Sequence, residues 1–209
     1  MDYILSIHIP IIGLTLLPAF FADLPILLMP LHIVFMELII DPVCSVAFES
    51  EKEEVGVMKR PLRIMGVPFF GIKRMLGSLA MGGLLFAMVL GVYFMVLEEG
   101  HPDEEVRAIA FSALIIGNIF LILTTLSKSR NAWAVLKERN TALLTIIFTA
   151  FIILLALVRI PNLGDIFNFS FPGWGHFGIA LLGALTMLII LETIKYWNNH
   201  RLLPPNKCI

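Results

Sequence analysis

Six predominantly apolar stretches, each about twenty residues long, follow one another along the chain, at 3–21, 26–47, 75–97, 108–127, 141–159 and 176–195. A helix rising 1.5 Å per residue needs about that length to cross roughly 30 Å of hydrocarbon. Continuous apolar runs of this kind read as helices rather than barrel strands, because lipid offers no partner for an unpaired backbone N–H or C=O. With 58% hydrophobic and 15% charged residues and a mean hydropathy of +0.91, the chain is far from soluble-domain composition. The expected fold class is an all-α membrane protein, a six-helix transmembrane bundle in an integral multi-pass arrangement.

The connections set the orientation. Six Lys and Arg lie in 49–74, four in 128–139 and three from Lys195 onward, while the remaining two, Arg107 and Arg159, fall on the other side. The positive-inside rule places both termini and the 48–74 loop in the cytoplasm. The ADLP connection at 22–25 implies a tight helical hairpin between the first two segments. The EEGHPDEEVR loop at 98–107 reads as a solvated acidic face. Trp133, Trp174, Tyr196 and Trp197 sit near segment ends, where interfacial anchors belong. In the third segment Gly83, Ala87 and Gly91 form a small-residue ridge at four-residue spacing, expected to admit a neighbouring helix.

Ionisable groups inside such segments are costly, about 2.5–3.5 kcal/mol each at the bilayer centre. Glu37 and Asp41, in MELIIDPVCS, therefore need a reason. At i and i+4 they share one helix face. Pro42 lacks an N–H and frees the carbonyl of Leu38 between them. Two carboxylates and a loosened carbonyl form an oxygen-rich patch of the kind hard cations prefer. A plain ion pair is the competing account, but Arg159 and Lys195, the Lys and Arg within the apolar segments, lie at segment ends. His8, followed by Pro10, is a further candidate ligand, whereas His32 reads as a packed histidine. Asn118 reads equally as an interhelical hydrogen bond or as a neutral oxygen ligand. Cys44 and Cys208 form no metal-binding spacing. No GxxxxGK[ST], HExxH or GxSxG motif is present, so the sequence carries no nucleotide or hydrolase signature. No nucleic-acid partner is indicated.

The stretches YILSIHIPI, LPILLMPLHIVFMELIIDPVCSVAFESEKEEVGVMKRPLR and ILETIKYWNNHR together resemble the C-terminal transmembrane region of cation-transporting P-type ATPases, closest to the calcium-pump-like group of bacteria. The resemblance covers essentially all of 1–209 and equates the six segments with the family's membrane helices five to ten. It implies that Asp41 is the central ion-binding aspartate. Glu37 falls where calcium pumps carry an asparagine ligand and sodium pumps an aspartate; His8 falls on another asparagine ligand position, and Asn118 on a glutamate ligand position. Ile11 and Ile40 replace ligands of the family, so the two-ion calcium site is not reproduced. The implied metal ligands are Glu37, Asp41, Asn118 and His8, and the implied cargo is Ca2+ or a related cation. The coupling loop of the family departs as well, since VMKRPLR carries Leu62 where the resemblance implies the second of two prolines.

The DKTGT, TGES and PEGLP-like motifs of the family do not occur in these residues. The resemblance thus implies partners besides the lipid bilayer: the N-terminal half of a pump, with membrane helices one to four and the cytoplasmic domains that use Mg-ATP. No cofactor is expected in this chain itself, and enzymatic activity belongs to the parent pump. A bacterial plasma membrane is the implied location. A stand-alone, non-enzymatic ion-binding subunit and a non-functional fragment are the alternatives left open.

Overall fold

A computed structural model describes residues 2–22, 24–37, 45, 46, 48, 49, 71–127, 132–137 and 141–202. Among them every regular element is helical. We number these α1 (Asp2–Phe20), α2 (Pro30–Phe35), α3 (Ile72–Glu98), α4 (Asp103–Leu126), α5 (Ala132–Lys137), α6 (Thr141–Arg159), α7 (Pro161–Phe167) and α8 (Trp174–Leu202). Four of them contain spans long and apolar enough to cross a membrane: Tyr3–Phe20, Met75–Glu98, Asp103–Leu126 and Trp174–Trp197. The α6–α7 pair adds a fifth if it counts as one broken span, bent by 89°. The break has a local cause. Pro161 opens α7 and holds Ile160 before it in an extended conformation, as the residue preceding a proline prefers.

Helix α4 is the axis of the bundle. Of its membrane-length window 78% is buried, against 22–39% for the other three, and it packs on α1, α3, α6 and α8. Its sequence is apolar all round, as a buried helix requires. It begins at Asp103, earlier than the sequence suggests, with Asp103, Glu104 and Glu105 in its first turn. Carboxylates there complement the positive end of the helix dipole, so much of the acidic loop is helical. The outer helices turn large apolar side chains outward, among them Ile12, Leu16, Phe148 and Ile189. Lipid is the solvent that makes such a surface stable; the protein is an integral multi-pass membrane protein. Trp133, Trp174, Tyr196 and Trp197 are all well exposed at helix ends.

The tight hairpin after α1 does not form as expected. Residues 25–29 are non-helical, and the next helix starts at Pro30 rather than Ile26. Two prolines explain this: Pro25 and Pro30 each disfavour helical geometry in the residue before them, and Met29 is accordingly extended (φ −79°, ψ 159°). Farther on, α2 loosens into a π turn at Met36 and Glu37. At the opposite end of the bundle Lys195 Nζ donates to the Thr124 carbonyl at 3.1 Å and lies 3.5 Å from Glu192, tying α8 to α4.

The small-residue contact also falls elsewhere than the ridge suggests. A Cβ on Gly83 or Gly91 meets nothing within 4 Å, whereas one on Gly82 collides with the Ser6 carbonyl oxygen and, at 2.7 Å, with Ile9 Cδ1. Gly82 is thus where α3 closes onto α1. It sits at the carbonyl of Ser6, four residues before Pro10, which carries no N–H for it. Ser6 Oγ adds a hydrogen bond to the Ser78 carbonyl at 2.9 Å. Gly82→Val is expected to lower stability by about 1–3 kcal/mol through forced separation of α1 and α3. Gly83→Ala is expected to stay within about 0.5 kcal/mol of the native chain. Thermal unfolding of both variants in detergent micelles checks the pair.

Candidate functional site

Two of the candidate ligands meet between α1 and the end of α2. His8 Nε2 lies 3.4 Å from Glu37 Oε1. The other ring nitrogen, Nδ1, is 2.7 Å from the Ile4 carbonyl oxygen. A carbonyl only accepts, so Nδ1 carries the hydrogen and donates it, as ligating histidines do to a backbone carbonyl behind them. In a neutral ring Nε2 then presents its lone pair to the Glu37 carboxylate. Two electron-pair donors at this separation repel unless a positive charge, a proton or a metal ion, lies between them.

Backbone irregularity accompanies both groups. Pro10 interrupts the hydrogen-bond ladder of α1 beside His8, and Glu37 occupies the π turn. Such single-turn widenings are found disproportionately at functional sites. Asp41, together with Leu38 and Pro42, lies outside the described residues.

Asn118 is elsewhere. It is 1% exposed on the central helix, and its Oδ1 accepts a hydrogen bond from Tyr3 Oη at 2.8 Å. Tyr3 precedes His8 by five residues on α1, about 7.5 Å along the axis. The carbonyl oxygen of Asn118 retains a second lone pair, but among the described residues no hydrogen bond joins it to His8 or Glu37.

His32 is structural. It is fully buried; Nδ1 accepts the Met29 N–H at 3.0 Å and Nε2 donates to the Phe167 carbonyl at 2.8 Å. The first of these bonds closes a capping box at the start of α2, the imidazole standing where Glu or Gln is usual. Rings of Phe111, Phe167 and Phe169 surround it, with centroids 5.2, 5.6 and 4.8 Å away. Both nitrogens are satisfied, so neither is open to an ion.

Two sets of residues escaped sequence reasoning. Arg107, expected in a loop, is buried in α4; its Nε donates to the Ile26 carbonyl at 3.0 Å and its Nη1 to the Asn168 carbonyl at 2.9 Å. It satisfies backbone groups in two separate non-helical connections, which a reading of local sequence does not reveal. The second set is a histidine pair, His101 and His176, whose rings meet with centroids 4.4 Å apart. A histidine inside an acidic loop, and another just past a Pro-Gly pair, are the only local signals.

Comparison with known proteins gives two findings. The sequence model of the family described as "Cation transporting ATPase, C-terminus" matches residues 25–197. The protein named Calcium-transporting ATPase 1 from Lactococcus lactis subsp. lactis (strain IL1403) is 28% identical over 167 residues, which is 79% of this chain and 19% of that protein. The chain thus spans about a fifth of the length of the curated relative it matches.

The two histidines predict opposite outcomes in a stability assay. His32→Phe strands the Phe167 carbonyl and the Met29 N–H and is expected to cost about 1–3 kcal/mol. His8→Gln is expected to change stability by less than about 0.5 kcal/mol. Chemical denaturation followed by tryptophan fluorescence separates them.

Proposed function

We propose that this chain, which belongs to the family of cation-transporting ATPase C-terminal regions, is the ion-binding and ion-translocating membrane part of a P-type cation pump. On this reading α1 is the pump's fifth membrane helix and the stretch from Pro30 through Asp41 its sixth. Both termini and the 48–74 loop face the cytoplasm, and the membrane is the plasma membrane of a bacterium. The pump's remaining parts, membrane helices one to four and the domains that bind Mg-ATP and take the phosphoryl group, are the partner.

The observation that carries the reading is the approach of His8 to Glu37 at 3.4 Å. It supports a cation site between two helices whose ladders are both interrupted. His8 Nε2, a Glu37 oxygen, the Asp41 carboxylate and the Leu38 carbonyl are the assigned donors, with Asn118 as an outlying neutral oxygen. The side chains of His8 and Glu37 are 37% and 44% exposed. A carboxylate left to lipid is costly, so the open side is assigned to the pump's other membrane helices.

The cargo is a divalent cation. Ca2+ is what the Lactococcus relative's name specifies, and two carboxylates with carbonyl oxygens suit it. An imidazole in the set favours a more borderline ion than an all-oxygen site does. During transport the chemistry of these residues is exchange: the carboxylates hold the ion while the site is closed to water and release it when the missing half changes their exposure.

The test is cation-stimulated ATP hydrolysis by the parent pump carrying single substitutions. Asp41→Asn is expected to abolish the stimulation. Glu37→Gln is expected to raise the half-saturating cation concentration by at least the roughly tenfold loss that removing even a supporting group entails. Unchanged cation dependence in both variants defeats the assignment.

A further inference from the structure

Away from α1 and α2, the ends of three helices converge on one small group of donors. Glu99 caps the C-terminus of α3, His101 follows it in the connection to α4, and His176 lies in the first turn of α8. Gly100 makes the convergence possible. Its φ of +77° is open to glycine at little cost, and the reversal there brings the residues on either side of it to one point. Glu99 Oε2 lies 3.4 Å from His101 Nε2 and 3.2 Å from His176 Nε2. Among the described residues this is the one group of three ligand atoms that lie within 4.8 Å of one another.

Each imidazole is held from behind. His101 Nδ1 is 2.7 Å from Glu105 Oε2, and His176 Nδ1 is 2.7 Å from the Pro172 carbonyl oxygen. Both partners accept, so each Nδ1 carries the hydrogen, and in the neutral rings each Nε2 turns a lone pair toward the Glu99 carboxylate. A carboxylate behind one histidine and a backbone carbonyl behind the other are the supports that ligating histidines have in metal sites. Three donors facing one another in this way need a shared positive charge.

We infer that Glu99, His101 and His176 form a binding site for a divalent transition metal of the zinc class, separate from the transport site. A tetrahedral zinc ion with bonds of about 2.0–2.1 Å sets its donors roughly 3.3–3.4 Å apart, close to the two spacings given above. Two imidazoles and one carboxylate leave the fourth position to water. The same set is poor for Ca2+, which takes six to eight oxygens. Bound metal joins the ends of α3 and α8 to the connection that leads into α4. The inference does not rest on the proposed transport role, since it uses none of the same residues.

Cobalt(II) is the probe, because its visible absorption reports tetrahedral coordination. It is added to the full chain in lipid nanodiscs, stripped of metal by chelator and with both cysteines blocked by N-ethylmaleimide. The wild-type chain is expected to develop the tetrahedral band and to lose it when Zn2+ is added. His101→Gln and His176→Gln are each expected to weaken cobalt binding by at least tenfold, and Glu105→Ala by about tenfold. Wild-type affinity in both histidine variants overturns the site. So does a wild-type chain of intact helical circular dichroism that shows no tetrahedral band, which assigns the three groups to shared protons.

Discussion

The guanidinium of Arg107 pairs backbone groups that the helices leave open. Irregular backbone buried in a protein survives only where something pairs its polar groups. Here one buried side chain on the central helix donates to the carbonyls of Ile26 and Asn168, in two connections far apart in sequence. His32 works alongside it, closing the start of α2 and holding the Phe167 carbonyl. With these groups in place α2 can begin late and α7 can turn sharply away from α6. The position of the π turn, and hence of Glu37 opposite His8, follows from where α2 begins.

The helical, membrane-embedded character of the chain was legible because it depends on local quantities, the length and apolarity of each segment. Glu37 and His8 were legible as candidates for the same reason: polarity inside an apolar run is costly wherever the run folds. Their meeting is a tertiary fact, and only the family resemblance anticipated it. Arg107 was misread because its value lies in two distant carbonyls, while its sequence neighbours are acidic loop residues. The ridge at Gly83, Ala87 and Gly91 failed for a related reason. Four-residue spacing identifies a face that could be approached, but the helix that approaches chooses the face, and α1 presents the proline-freed carbonyl of Ser6 to Gly82 instead.

The two histidine sites are built alike and sit in different surroundings. In each, Nδ1 is committed to an acceptor and Nε2 meets a carboxylate oxygen at 3.2–3.4 Å. Around His8 the other candidate donors are oxygens on α2 and beyond, next to interrupted backbone. Around His101 a second imidazole completes the set, next to regular helix ends. Donor chemistry therefore separates the two proposed sites: one is mostly oxygen with a single imidazole, the other mostly imidazole with a single carboxylate.

The contact at Gly82 also bears on how force moves through the bundle. Side chains between two helices act as a cushion that deforms before the backbones do. At Gly82 that cushion is thin, since the Ser6 carbonyl oxygen as well as the Ile9 side chain lies against the glycine, and Ser6 Oγ adds a hydrogen bond one turn away. Helices α1 and α3 therefore have little slack at this level, and a displacement of one bears directly on the backbone of the other. The loosened turn at Glu37, by contrast, has no such contact with α3 among the described hydrogen bonds.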